Sequence, residues 1–242
     1  ALHPTWWMEA DTLLHDNVPA EGGSNMPTVL IIGASRGIGL ELARQYCDDG
    51  WTVHATVRNP SADSLPAALR DRATLHPLEV TDRSHLDSLA DALSETPLDV
   101  LIHNAGVFGK GMTREDVLAV NAEAPIRTAE RLLPQVVQSG EKKLVLVSSQ
   151  MGSRGGKTGS LGLYGDSKAA LNDAFREHEP AWRDQGATSI VLHPGWVRTD
   201  MGGPNASVSV GDSASGIRAV IAALTPGQSG QFLTWQGREH PW

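Results

Sequence analysis

Val29-Leu30-Ile31-Ile32-Gly33-Ala34-Ser35-Arg36-Gly37-Ile38-Gly39 decides how this chain is read. It opens as a continuous aliphatic run, the pattern of a strand buried on both faces of a parallel sheet. Three glycines end it. Ile38, Leu42 and Tyr46 then recur at helical spacing, with Glu41, Arg44 and Gln45 between them. Strand, glycine turn and helix start form the first half of a βαβ unit. In such a unit the backbone approaches a pyrophosphate closely, and the helix N-terminus offers it N–H groups and a positive dipole end. The spacing is Gly-x-x-x-Gly-x-Gly, not the Gly-x-Gly-x-x-Gly fingerprint. The same residues also fit Gly33-x-Ser35-x-Gly37, the nucleophile elbow of α/β-hydrolases. That alternative needs an oxyanion-hole N–H from a loop after an earlier strand, and nothing upstream of Val29 reads as one.

Working outward, strand and helix patterns alternate. A second strand spans Trp51 to Val57 and a helical pattern Ala62 to Arg70. A third strand runs from Ala73 to Val80, and Ser84 to Leu93 is helical. The strand Leu98 to His103 precedes a long helix, Thr113 to Ser139, with a break expected near Pro125 or Pro134. Strand Lys142 to Ser149, a Gly-rich loop 152–162 and a helix Leu163 to Arg183 follow. Strand Thr188 to His193, helix Gly211 to Leu224 and a short strand Gln231 to Thr234 complete the chain. Such alternation predicts a single α/β domain, a Rossmann-type doubly wound parallel sheet of about seven strands. Gly33, Arg58, Glu79, Asn104, Ser149 and Pro194 would then share the carboxyl edge of the sheet, where ligands bind.

The 242 residues suit one domain, assigned to 26–242. Residues 1–25 read as an extension or leader with no assigned role. They carry Trp6 and Trp7 and four acids but no Lys or Arg, so the basic start of a signal peptide is missing. A net charge of −8 argues against nucleic-acid or anionic-membrane partners. The lone Cys47 points to a reducing, cytoplasmic setting. The nine histidines lack metal-ligand spacing, and no apolar run reaches a membrane span. Gly155-Gly156-Lys157-Thr158 imitates a phosphate loop, but Met151 stands where its first glycine belongs.

Tyr164 and Lys168, at i and i+4, put a phenol and an ammonium on one helical face, after a loop from Ser148-Ser149. A nearby Lys⁺ would lower the phenol pKa and suit it to proton transfer. Six ordered motifs now stand out: Gly33-Ala-Ser-Arg-Gly-Ile-Gly39, His103-Asn-Ala-Gly106, Asn121, Ser149-x-x-Gly152, Tyr164-x-x-x-Lys168 and His193-Pro-Gly195. The chain resembles the short-chain dehydrogenase/reductase family over residues 28–242. Within it, His193 to Gly203 and Gly237 to Trp242 look like the C-factor and sniffer carbonyl-reductase group. The resemblance implies Tyr164 as acid/base, Lys168 on the nicotinamide ribose, Ser149 on the substrate oxygen with Ser148 as backup, and Asn121 anchoring a water. It implies a cofactor set of Gly33, Ser35, Arg36, Gly37, Ile38, Gly39, Arg58, Glu79, Val80, Asn104, Ala105, Gly106, Tyr164, Lys168, Pro194, Gly195, Val197 and Thr199. Ile32 and His103 depart from the family's Thr and Asn, which would loosen local hydrogen bonding.

No acid ends the second strand, whereas NAD recognition commonly places one about 20 residues after the glycines. Arg58 and Arg36 instead suit a 2′-phosphate, so NADP(H) is expected over NAD(H). The overall expectation is hydride transfer to a small carbonyl or from an alcohol, by a homodimer or homotetramer. A small-residue, mobile lid after Gly195 would make carbonyl use broad and weak. A dinucleotide-binding signalling protein of C-factor type is the alternative, and a serine hydrolase using Ser35 the remote one.

Overall fold

The computed structural model describes residues 26–59, 69, 71–155 and 162–242. The helix expected over 62–70 lies outside the described residues apart from Leu69, as do residues 1–25 and most of the phosphate-loop imitation. Seven strands form one parallel sheet: β1 (Thr28–Ile32), β2 (Thr52–Val57), β3 (Ala73–Pro77), β4 (Val100–His103), β5 (Lys143–Val147), β6 (Thr188–His193) and β7 (Phe232–Thr234). Their order is β3-β2-β1-β4-β5-β6-β7. β1 pairs with β2 on one side (Val29 opposite Val53) and with β4 on the other (Val29 opposite Val100). The winding therefore reverses between β1 and β4, the position where doubly wound sheets open a ligand crevice.

All five residues of β1 are buried because helices cover both faces. Leu30, Ile32, Leu101, Leu144 and Leu146 face one layer, with α2 (Arg83–Ala92), α4 (Ala124–Val137) and α5 (Gly162–Asp184). Val29, Ile31, Val100, Ile102 and Val145 face the other, where Leu42 and Tyr46 of α1 (Gly37–Asp48) meet Ile217 and Ile221 of α6 (Val210–Ala223). Truncating such a side chain to alanine costs about 2–5 kcal/mol.

Two expectations are corrected. β3 stops at Pro77 instead of Val80, since proline cannot continue the donor ladder, so Glu79 and Val80 lie in the connection beyond the strand. The long helix is not broken at a proline. α3 (Arg114–Leu118) passes into α4 through a π-helical segment, Ala119–Glu123, and Pro134 sits inside α4. Pro125 has no N–H to offer the carbonyl of Asn121, four residues back. The wider turn just before it absorbs that loss.

Candidate active site

A cleft of about 840 Å³ opens beyond the carboxyl ends of β1, β2, β4, β5 and β6. At its floor the end of β1 is fixed by its neighbours. The Gly33 N–H donates to Thr56 Oγ1 (3.0 Å), and Asn104 Nδ2 donates to the Gly33 carbonyl (2.9 Å). Thr56 thus supplies the hydroxyl that Ile32 lacks. Gly33 has φ +85, and a Cβ there would lie 2.8 Å from Ala105. A Cβ on Gly39 would meet the Gly33 carbonyl at 2.2 Å. These two glycines serve close packing of strand, helix and β4 more than ligand approach.

The start of α1 faces the cleft through Gly37 and Ile38. Its N-cap Arg36 makes no side-chain capping bond, and no acid occupies its first turn. Helix starts leave N–H groups without intrahelical partners. Here they suit a pyrophosphate, so the residues present fit a dinucleotide. Ser35, Arg36, Arg58, Glu79, Val80, Ala105, Gly106, Pro194 and Thr199 line the same cleft. Gly39, Asn121, Ser149, Gly195 and Val197 do not. Gly39 is buried under the turn, Val197 is buried, and Gly195 packs against Trp235. Asp200, which motif reading did not single out, pairs with Arg36 across 2.9 Å.

At the other end of the cleft Tyr164 and Lys168 share the inner face of α5. The Ser149 hydroxyl hydrogen-bonds the Tyr164 phenol, while its Oγ also accepts the Met151 N–H (3.1 Å). Ser148 lines the cleft, but its hydroxyl is spent on Asn172 Oδ1, to which it donates (2.7 Å). Lys168 is buried and its Nζ donates to the Val147 carbonyl (2.9 Å). The expected electrostatics are corrected. Burial pushes the Tyr164 phenol up, only partly offset by the Ser149 bond. Lys168 sits 6.0 Å from the ring centre and is itself pushed down to about 8 by burial. Desolvation outweighs the i,i+4 proximity that sequence spacing emphasises.

Asn121 is fully buried in the π segment. Its Oδ1 accepts the Val107 N–H (2.8 Å), and its Nδ2 donates to the Val107 carbonyl (2.8 Å) and to Ser167 Oγ (2.9 Å). The amide is spent on fixing the loop after β4. Beside it His103 ends β4 with 1 % exposure and no hydrogen-bond partner on either ring nitrogen among the described residues. Each such unmade bond costs about 1–3 kcal/mol. Burial, with Lys168 and Arg127 nearby, pushes this imidazole down to about 3.

Phe108, 55 % exposed, stacks on Tyr164 with ring centres 5.3 Å apart. Trp196 and Met201 are also exposed, so the segment after Gly195 is not merely small residues. It is laced to itself: Val208 N–H donates to the Trp196 carbonyl (2.9 Å), Arg198 N–H to the Val208 carbonyl (2.9 Å), and Trp196 Nε1 to the Gly202 carbonyl (2.9 Å). Motif spacing carries no signal for Phe108, whose role comes from the loop that Asn121 clamps. Ser35 is exposed at the turn, and no histidine is among the described residues lining the cleft, so the hydrolase lacks its base. Among the described residues no group of three or more His, Cys, Asp or Glu side chains could hold a metal ion, and no helix is long and apolar enough to cross a membrane.

Residues 27–208 match the family model described as short chain dehydrogenase. C-signal of Myxococcus xanthus is 42 % identical over 155 residues, covering 60 % of this chain and 93 % of that protein. The NADPH-bound carbonyl reductase from chicken fatty liver superposes with a TM-score of 0.78 at 30 % identity, covering 90 % of this chain and 99 % of that one. The carbonyl reductase Sniffer of D. melanogaster gives 0.79 at 27 %, covering 90 % and 100 %.

Proposed function

The chain belongs to the short-chain dehydrogenase family, and on that premise we propose that it is an NADP(H)-dependent carbonyl reductase or alcohol dehydrogenase acting on small carbonyls or alcohols. One observation carries this reading: the Ser149 hydroxyl meets the Tyr164 phenol at the cleft end where Lys168 is buried. When bound, the nicotinamide supplies or accepts the hydride. Ser149 positions the substrate oxygen, and Tyr164 gives that oxygen a proton during reduction or takes one during oxidation. Lys168 holds the ribose hydroxyls and returns a proton to Tyr164. Asn121 anchors a water. The exposed Phe108 ring on Tyr164 favours substrates with a flat or apolar body.

NADP(H) preference rests on Arg58, which follows β2 where an acid would serve NAD, and on Arg36. Asp200 competes for Arg36, but both partners are exposed and such a pair is worth about 0–1 kcal/mol. A hydrogen bond from a charged group to a phosphate is worth about 1.5–3 kcal/mol, so the phosphate wins. The reductases with NADP(H) bound among the structural relatives support the choice. The single cysteine, Cys47, which leaves no intramolecular disulfide to form, agrees with a reducing, cytoplasmic setting. A homodimer or homotetramer completes the proposal.

The likeness to C-signal supports a second reading, a dinucleotide-binding signalling protein. Both are tested by following NADPH oxidation with a panel of ketones, aldehydes and quinones. Turnover that Tyr164→Phe abolishes supports the reductase. Cofactor binding without turnover on any carbonyl leaves the signalling reading.

A further inference from the structure

The segment Trp196–Val208 leaves the carboxyl end of β6 and returns to α6. Both of its ends are fixed. The Pro194 carbonyl accepts from Ser213 Oγ (2.7 Å), Gly195 packs against Trp235, and Ser209 caps α6. Between them the segment bonds to itself. Val197 and Val208 form a parallel bridge, Arg198 Nη1 donates to the Ala206 carbonyl (3.0 Å), and the Gly203 N–H donates to the Thr199 carbonyl (2.8 Å). Among the described residues one hydrogen bond leaves the segment: Arg36 Nη1 donates to Asp200 Oδ2 (2.9 Å). Beside it Thr199 rests on the glycine turn, where a Cβ on Gly37 would come within 3.3 Å of its Cγ2. Arg198, Thr199, Asp200 and Met201 all line the cleft. A strap with its own internal bonding thus lies over the phosphate turn, tied there by the guanidinium that the reductase reading gives to the 2′-phosphate.

We propose that Asp200 is a specificity-determining residue that reads the 2′-phosphate: NADP(H) takes Arg36 from it and unties the strap, whereas NAD(H) leaves the tie in place. The inference rests on the dinucleotide part of the reductase reading. A phosphate and the Asp200 carboxylate carry the same sign, so drawing both onto one guanidinium sets them against each other. The Arg36–Asp200 pair is exposed on both sides and therefore weak, and the charge-assisted bond to a phosphate displaces it. Cofactor choice then acts twice. Arg58 and Arg36 set the affinity, and Asp200 sets how freely residues 196–208 move over the cleft once the cofactor is in. Asp200 touches no reacting atom; it acts through Arg36.

The test is amide hydrogen exchange of residues 196–208 in the full chain, with titrations of both cofactors and no turnover. In wild type, exchange under saturating NADPH should exceed that under saturating NADH about two- to fivefold, the range an exposed ion pair supports. In Asp200→Asn the two cofactors should give equal exchange, and the cofactor-free chain should exchange faster than cofactor-free wild type. Its NADPH Kd should fall about two- to fivefold while its NADH Kd stays unchanged. Asp200→Glu keeps the charge and should behave as wild type. A merely structural aspartate would shift both cofactors alike. Equal exchange under the two cofactors in wild type overturns the proposal, and so does a difference that persists in Asp200→Asn. A wild type that reduces no carbonyl defeats the reductase reading and leaves these measurements standing. A wild type that binds neither cofactor defeats the dinucleotide reading and the role of Asp200 with it.

Discussion

Four of the described helix starts fall into two kinds. At α2 the Asp82 carboxylate accepts from the Ser84 N–H (2.8 Å) and the His85 N–H. At α3 Thr113 accepts from the Asp116 N–H (3.1 Å), and at α6 Ser209 accepts from the Asp212 N–H (3.0 Å). At α1 a cation, Arg36, stands at the cap and no side chain satisfies the first turn. A positive charge there opposes the helix dipole and forgoes a cap worth about 0.5–2 kcal/mol. The α1 start keeps its donors for an anion, and the capped starts spend theirs on stability. Substitutions around the cleft should therefore act on rate and cofactor, and substitutions at the capped starts on stability alone.

Tyr164→Phe should give the largest effect. We expect kcat to fall by about 10² to 10⁴ with cofactor affinity within a few-fold, since it deletes one proton donor and no packing volume. A tenth or more of wild-type kcat in steady-state assays removes Tyr164 from its role. Arg58→Ala and Arg36→Ala come next. Each should weaken NADPH about ten- to a hundredfold while NADH affinity barely changes, read by paired fluorescence titrations. Equal wild-type affinities for the two cofactors would show that no 2′-phosphate clamp exists.

The comparison sharpens if α1 is given the cap it lacks. Arg36→Asp should raise thermal stability while weakening NADPH, whereas Asp82→Ala should cost about 0.5–2 kcal/mol in denaturant unfolding and leave kcat untouched. If Arg36→Asp weakens neither cofactor, the uncapped turn is not a phosphate site.

The smallest effect is pH-dependent and lies away from the cleft. His54 Nδ1 and His76 Nε2 approach to 2.9 Å between β2 and β3. Burial, with the neighbouring ring, pushes His54 down to about 4, and burial also lowers His76. Both are neutral in the folded protein at pH 7. Below about 6.5 the unfolded chain takes up protons that the folded one refuses, so stability falls as pH drops toward about 4. Denaturant midpoints at pH 7.5 and 5 should differ less in His54→Phe than in wild type, the remainder coming from the other buried imidazoles, His103 and His193, which burial also lowers. Unchanged dependence in that variant would assign the effect elsewhere.

What could be read from residues alone follows from how local each signal is. β1 and its glycines were legible because a buried strand, a turn and an amphipathic helix each carry their own pattern. A doubly wound parallel sheet followed from the alternation of strands and helices, but the place of its reversal, between β1 and β4, did not, because strand order is not a local signal. The π segment was not legible: one extra residue in a turn scarcely disturbs the apolar period, and Pro125 marked the place without revealing the form. The Ser149-x-x-Gly152 spacing preferred Ser149 to Ser148 by resemblance alone, and the physical difference lies in three dimensions, where one hydroxyl meets Asn172 and the other Tyr164. The Tyr164–Lys168 spacing led to a lowered phenol because spacing says nothing of burial. Arg36–Asp200 joins residues 164 apart, beyond any local pattern.

The hydrogen bond from Asn104 to the Gly33 carbonyl spans 71 residues of chain. At typical synthesis rates of 5–20 residues per second, a ribosome makes that interval in roughly 4–14 s. Throughout it Thr28–Ile32 has β2 as its only strand partner to come, since β4 and its asparagine are not yet made. An aliphatic strand meant for the centre of the sheet thus waits with one edge open, which is when such segments recruit chaperones or one another. Chains interrupted before Val100 should accumulate as aggregates, while chains carried past His103 can close the sheet around β1.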